Sequence, residues 1–272
     1  MKIHFLGTAA SEGFPNVFCS CEACLVARKL GGKNIRTRAS VIVDDTLKFD
    51  YSADSQMQAL RDQIDMGRME HLLVTHTHYD HFYPGDLTSR IEGFAHGIEH
   101  PLWIHGNDLV MYHARQALGK FEGARIRFNR MKPFQKTAVG SAWVTPLPAD
   151  HDPMETCLLY FVEKDGKTLL YGNDTGWFPE DTWAWLRGKK VDMAILDCTH
   201  EKTGIQQKSY HMNADTILEV HDIFVKERIL NEAGRIYVTH FTHNSALLHE
   251  DWECIFEPYG ICVAYDGLTV HC

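Results

Sequence analysis

The stretch Thr75–His81 reads THTHYDH and follows directly on the apolar run HLLV at 71–74. Side chains alternate along an extended strand, so His76 and His78 leave its end on one side. If the chain then turns, Asp80 and His81 face the same space. Four side chains of the metal-ligating kind within six residues suit two adjacent cations, His76 and His78 on one, Asp80 and His81 on the other. Packing alone rarely assembles three histidines and an aspartate at this spacing.

Short runs rich in Val, Ile, Leu and Phe recur on both sides of that stretch: IHFLGTA (3–9), ASVIVDD (39–45), TLKFDY (46–51), PLWIHG (101–106), SAWVTPL (141–147), CLLYFVE (157–163), TLLYGND (168–174), DMAILDC (192–198), RIYVTH (235–240) and ICVAYD (261–266). Several are bounded by Gly, Pro or Asp, as strands are. Apolar spacing between them predicts helices over 53–68, 107–119, 179–187 and 214–230. The Asp-Gly pair in EKDGKT (163–168) predicts a hairpin, and AYDGLTV (264–270) predicts a second one at the C-terminus. No Pro/Gly/Ser-rich linker interrupts the chain, so residues 1–272 read as one domain of two sheets with covering helices.

A 44% hydrophobic and 23% charged composition is that of a soluble globular chain. No apolar run approaches the roughly 20 residues that cross a bilayer. MKIHFLGTAASEGFP has one lysine and too short an apolar run for a signal peptide, which places the chain in the cytoplasm with reduced thiols. Thirty-six acidic against 27 basic side chains leave a formal charge of −9, which argues against a broad nucleic-acid groove. A phosphate substrate stays open, because bound divalent cations dominate the local field.

The His-x-His-x-Asp-His pattern of 76–81 resembles the metallo-β-lactamase superfamily. The resemblance implies an α/β fold, a four-layer αβ/βα sandwich with its active site at one edge between the sheets. It also implies three further ligands at strand ends: His151 in TPLPADHDP, Asp174 in LLYGNDTGW and His240 in RIYVTHFTH. In the superfamily's order, His76, His78 and His151 hold one ion, Asp80, His81 and His240 the other, and Asp174 bridges them.

CSCEAC (19–24) places three thiols within six residues, whereas structural zinc takes four ligands, and spacing alone leaves the fourth open. Together with the catalytic set and His243, this cluster resembles the phosphodiesterase family of the carbon–phosphorus lyase pathway, which hydrolyses phosphoribosyl 1,2-cyclic phosphate. That resemblance implies a structural zinc on Cys19, Cys21, Cys24 and His243. It runs from GTAASEGFPNVFCSCEAC through LDCTH and HMNADT to VTHFTH and AYDG. The first of these also resembles the pyrroloquinoline-quinone biosynthesis branch, which shares the cysteines but lacks an intact His-x-His-x-Asp-His. One departure is Asp50 in FDYSAD, where relatives have Asp-x-Gly; its expected role is to orient a ligand histidine or to pack structurally.

The chemistry expected is hydrolysis of a small cyclic phosphodiester by a hydroxide held between two divalent ions, which also clamp the oxygens of an in-line displacement. The departing alkoxide then needs a proton, and a general acid there contributes roughly 10²–10⁴-fold. His211 in SYHMNADT and His200 in LDCTH compete for that role. His211 is preferred, since it precedes a helix start, where anions are favoured, and since the resemblance implies that it contacts the phosphate. With Asp80 these are the expected catalytic residues, and Asp197 is either a partner to them or a strand-end carboxylate. Histidine and carboxylate donors suit manganese, zinc, iron or nickel, while the thiolate site suits zinc. The remaining histidines form no pattern, and Cys157, Cys198, Cys254, Cys262 and Cys272 read as packing residues. Competing functions are a tRNA 3′-processing nuclease, a thioester, lactone or β-lactam hydrolase, and a non-catalytic binding protein. A homodimer follows only by analogy with superfamily phosphodiesterases.

Overall fold

Two seven-stranded sheets face each other in the computed structural model, which describes residues 1–123, 125–200 and 209–272. The first is built from β1 (Lys2–Gly7), β2 (Ser40–Val43), β3 (Leu47–Phe49), β4 (His71–Leu73), β5 (Leu102–Gly106) and β6 (Ile126–Arg130). The second contains β7 (Thr137–Val139), β8 (Ala142–Pro148), β9 (Leu158–Lys164), β10 (Lys167–Gly172), β11 (Val191–Asp197), β12 (Leu230–Thr239) and β13 (Cys262–Val263). The last strand, β14 (Thr269–His271), returns to the first sheet beside β1. Strand order is β14-β1-β2-β3-β4-β5-β6 in one sheet and β13-β12-β11-β10-β9-β8-β7 in the other. Each sheet is mixed, with β3 to β6 parallel in the first and β10 to β13 parallel in the second.

Alternation along the strands produces the layers. Ile3, Phe5, Val41, Phe49 and Leu73 meet Tyr160, Val162, Leu169, Tyr171 and Ile195 in the core between the sheets. Their neighbours point outward. Leu72, Val74, Leu102 and Ile104 pack under α3 (Asp108–Leu118), while Phe161, Leu170, Leu196 and Val238 pack under α4 (Glu180–Leu186), α5 (Ala214–Lys226) and α6 (His249–Phe256). On α5, Ala214, Ile217, Val220 and Phe224 line the buried face at helical spacing. The result is helix, sheet, sheet, helix, the α/β sandwich that the motif resemblance implied. Two short helices complete it, α1 (Glu22–Leu30) and α2 (Ser55–Asp62).

Local chemistry explains most boundaries. Asp165 and Gly166 both have positive φ, 53° and 72°, as a two-residue hairpin turn between β9 and β10 requires. Asn107 caps α3 by accepting from Val110 N, and Asn213 caps α5 by accepting from Thr216 N, both at 2.8 Å. The helix predicted over 53–68 stops at Asp62, where Gln63 adopts φ 55°, and the one predicted to 230 ends at Lys226. α1, α6, β6, β7 and β14 are absent from the apolar-run reading because they are short or only half apolar.

One prediction fails outright. AYDGLTV is not a hairpin, since β13 pairs with β12 in the second sheet and β14 with β1 in the first. The reason is the buried Asp266 carboxylate, which accepts from Thr8 Oγ1 (2.8 Å), Thr37 N (2.7 Å) and Arg61 (2.8 Å). These bonds pin the turn to the first sheet and carry the chain across. Among the described residues, no helix is long and apolar enough to cross a membrane.

Candidate metal centre

The sequence-predicted ligands come from the C-terminal ends of four strands at one edge of the sandwich. His76, His78, Asp80 and His81 follow β4, His151 follows β8, Asp174 follows β10 and His240 follows β12. They gather in two groups, His76/His78/His151 and Asp80/His81/Asp174/His240, each with its ligand atoms within 4.8 Å of one another. In the first, His78 Nδ1 lies 2.9 Å from His76 Nε2 and 3.1 Å from His151 Nε2. In the second, Asp174 Oδ2 is 2.5 Å from His81 Nε2, and Asp174 Oδ1 is 2.9 Å from His240 Nε2. Asp174 also reaches the first group, with Oδ2 3.5 Å from His76 Nε2, so one carboxylate stands between the two. Asp174 and His240 hold φ of 51° and 67°, a left-handed backbone that turns each side chain in from its strand end.

What suits these groups to metal ions is where the other ring nitrogens point. His81 Nδ1 donates to Asp50 Oδ2 at 2.8 Å. Thr75 Oγ1 donates to Asp50 Oδ1 (2.9 Å) and so accepts from His76 Nδ1 (3.0 Å). By the same logic Thr199 Oγ1, donating to Asp197 Oδ1, accepts from His240 Nδ1 at 2.7 Å. His151 Nδ1 donates to the Tyr210 carbonyl at 2.9 Å, and His78 Nε2 to Asp152 Oδ2 at 3.0 Å. Each ring thereby commits its N–H outward and turns a lone pair inward, and inward lone pairs this close repel unless a cation lies among them. His81 Nε2, His240 Nε2 and Asp174 Oδ1 are buried without a hydrogen bond.

Electrostatics agree. Burial disfavours the Asp174 charge, but His240 and His81 hold its pKa well below the ordinary carboxylate range. Burial likewise opposes a charged His240, yet Asp174 lifts that ring to about 10. A pocket that favours positive charge in this way suits a divalent cation, which would replace the protons on these rings.

A cavity of about 590 Å³ opens over the groups, its wall including His211, His200, Tyr79 and Glu12. His211 Nδ1 donates to Asp197 Oδ2 at 2.7 Å, leaving Nε2 as its free nitrogen. Burial works against a charged His211, but Asp197 and then Asp174 outweigh it and raise the ring above its usual value. His200 is exposed at the rim, its ring centroid 5.7 Å from that of His211, and burial beside His211 lowers its pKa. A larger cavity of about 830 Å³ lies at the opposite end of β11 and β12, beside Lys190, Asp192 and Arg228.

The cysteine cluster finds its fourth member. Ligand atoms of Cys19, Cys21, Cys24 and His243 lie within 4.8 Å of one another, with Cys21 Sγ 3.9 Å from His243 Nδ1. Cys24 sits in α1, where burial pushes its thiol up to about 12. A backbone N–H at Cys24, then His243, hold exposed Cys21 down at about 6. This tetrad joins the loop after β1 to the segment that follows His240.

Sequence reasoning left five groups without a role here: Thr75, Thr199, Asp152, Glu155 and the Tyr210 carbonyl. All but Thr75 act on a ligand, or for Glu155 on Thr77 between two ligands, far away in the chain, so no local spacing marks them.

The chain matches the Beta-lactamase superfamily domain over residues 46–241. A curated relative, Ribonuclease Z of Halalkalibacterium halodurans, is 33% identical over 108 residues, covering 39% of this chain. The match spans only 30% of that ribonuclease's length. Two solved structures share the fold along the whole chain. A diphosphatase from the PhnP family aligns with a TM-score of 0.76 and 24% identity, covering 100% of this chain and 97% of that one. Zn²⁺-bound PqqB from Methylobacterium extorquens aligns with a TM-score of 0.79 and 21% identity, covering 100% of both.

Proposed function

The chain belongs to the metallo-β-lactamase superfamily, and from that premise we propose that it is a metal-dependent phosphodiesterase that opens a small cyclic phosphodiester of the phosphoribosyl 1,2-cyclic phosphate kind. One observation carries this reading: His76, His81, His151 and His240 turn lone pairs toward a shared Asp174, with His78 between His76 and His151, while His211 stands beside them with Nε2 unbonded among the described residues. His76, His78 and His151 would hold one divalent ion and Asp80, His81 and His240 the other, with Asp174 common to both; Cys19, Cys21, Cys24 and His243 would hold a structural zinc. Bound at such a pair, divalent cations supply Lewis acidity toward phosphoryl oxygens and make a water acidic enough to attack near neutral pH.

The chain's own groups do the rest. Asp50, Thr75 and Thr199 fix the tautomers of His81, His76 and His240, so that these rings need no reorganisation as charge develops. His211, kept charged by Asp197, donates its Nε2 proton to the ring oxygen that leaves phosphorus. His200 lines the entrance instead, since among the described residues no carboxylate orients it comparably.

A second reading has a specific support. The curated relative is a ribonuclease Z, so a tRNA 3′ end is the competing substrate. Turnover of ribose 1,2-cyclic phosphate, bis(p-nitrophenyl) phosphate, a nucleoside diphosphate, precursor tRNA and a thioester, each with manganese or zinc, tests both. The proposal expects the cyclic ester to be opened with the highest kcat/KM. Faster cleavage of precursor tRNA would establish the second reading, and thioester hydrolysis without diester turnover would overturn both.

A further inference from the structure

The loop between β8 and β9 carries His151 and contains an acid that the chemistry above does not use. Glu155 is half-buried, and its Oε1 accepts from both Thr77 N (2.8 Å) and Thr77 Oγ1 (2.6 Å). Its Oε2 accepts from Asn107 Nδ2 at 2.6 Å. Asn107 is buried and has no freedom to turn: its Oδ1 caps α3 at Val110 N, and its Nδ2 also donates to the Thr156 carbonyl at 2.8 Å. One carboxylate therefore joins three pieces of chain, the loop after β4, the start of α3 and the loop bearing His151.

Thr77 is the residue between His76 and His78, in a stretch outside any strand or helix. No ladder of backbone bonds sets its place. Hydrogen bonds to a carboxylate are roughly twice as strong as neutral ones, so Glu155 restrains Thr77 from the side of the His151 loop as Asp50 restrains Thr75 from the other. The two ion-binding groups differ in their need for Glu155. The His78 side chain is 43% exposed, whereas those of His81 and His240 are 0% and 3% exposed. His81 and His240 are oriented by Asp50 and Thr199, which among the described residues make no hydrogen bond to the His151 loop. The three-histidine group leans on that loop three times, through His151 itself, Asp152 on His78, and Glu155 on Thr77.

We propose that Glu155 is a positioning residue for the three-histidine group: by bridging Thr77 to Asn107 it holds His76 and His78 at the spacing His151 requires, and so sets the affinity of that half-site for its ion without touching ion or substrate. The inference rests on the reading that each group holds one ion.

Chelator competition on the whole protein loaded with zinc, with cobalt(II) absorption as a second readout, tests it through Thr77→Val, Thr77→Ser, Glu155→Ala and the double variant Thr77→Val/Glu155→Ala. Valine keeps the shape and N–H of Thr77 and removes only the hydroxyl, so this variant folds even if Glu155→Ala does not. Glu155→Ala is expected to weaken one of the two ions by roughly 10–100-fold and leave the other unchanged. Thr77→Val should weaken the same ion by less. Thr77→Ser should match the parent, and the double variant should be no weaker than Glu155→Ala, because both changes break one link. A parent protein that takes a single ion at this centre would refute the two-ion reading itself. With two ions in the parent, equal weakening of both by Thr77→Val and Glu155→Ala, or affinities within twofold of the parent, would overturn the role of Glu155.

Discussion

His211→Ala separates proton donation from metal binding, and the structure fixes what the change removes. The His211 ring bonds Asp197 Oδ2 at 2.7 Å and approaches Thr199 Oγ1 at 3.2 Å; toward the proposed metal ligands it has Nδ1 3.6 Å from Asp174 Oδ1 and packs on the His151 and His240 rings, with centroids 4.8 and 5.4 Å away. None of the inward-facing ligand atoms loses its own orienting bond, so both ions should remain at full stoichiometry. Asp197 would be the poorer choice, because it also holds Thr199, which orients His240. Loss of a general acid costs roughly 10²–10⁴-fold in kcat, or roughly 2.7–5.5 kcal/mol of barrier. The full loss should appear with ribose 1,2-cyclic phosphate, whose alkoxide leaving group needs the proton. With bis(p-nitrophenyl) phosphate the leaving phenolate is stable without it, and the loss should stay under about tenfold. The assay is kcat and KM for both substrates on protein of measured metal content. Equal losses on the two substrates would refute proton donation, and a near-normal kcat for His211→Ala alongside a collapsed one for His200→Ala would transfer the role to His200.

Asp50→Ala should leave His81 without an acceptor for Nδ1 and release Thr75, which orients His76, so both ions should weaken, that of the buried group by roughly 10–100-fold, read by chelator competition. Cys24→Ser should remove one zinc equivalent and lower Tm while the two catalytic ions remain, measured by metal analysis and calorimetry. Lys48, buried and donating to Asp50 O at 2.5 Å, has its pKa pushed by burial down to about 7 from 10.5. Between those values the unfolded chain carries the proton and the folded one does not, so stability rises with pH. Relative to Lys48→Met, the parent should gain up to ~1.4 kcal/mol of unfolding free energy per pH unit from 7.5 to 9.5; a difference independent of pH would contradict it.

Much of the site could be read from linear order because its chemistry is local in sequence. THTHYDH puts four ligand-type groups on one turn, and LLYGND and RIYVTH each end an apolar run with a donor. Short apolar runs bounded by Gly, Pro or Asp likewise exposed most strands of both sheets. AYDGLTV misled because turn chemistry says where a chain bends, not which sheet receives it; Asp266 decides that through partners at Thr8 and Thr37.

The amino-acid sequence alone determined the donor types, their order along the chain and the strands that end beside them, since those depend on covalent neighbours and backbone periodicity. Only the tertiary structure decided which nitrogen of each histidine faces inward. That choice belongs to Asp50, Thr75, Asp152, Thr199 and the Tyr210 carbonyl, groups 1 to 74 residues from the rings they orient, with four of the five more than 30 away. A hydrogen bond acts over about 3 Å, so the residues that govern these rings are neighbours in space, whatever their distance along the chain.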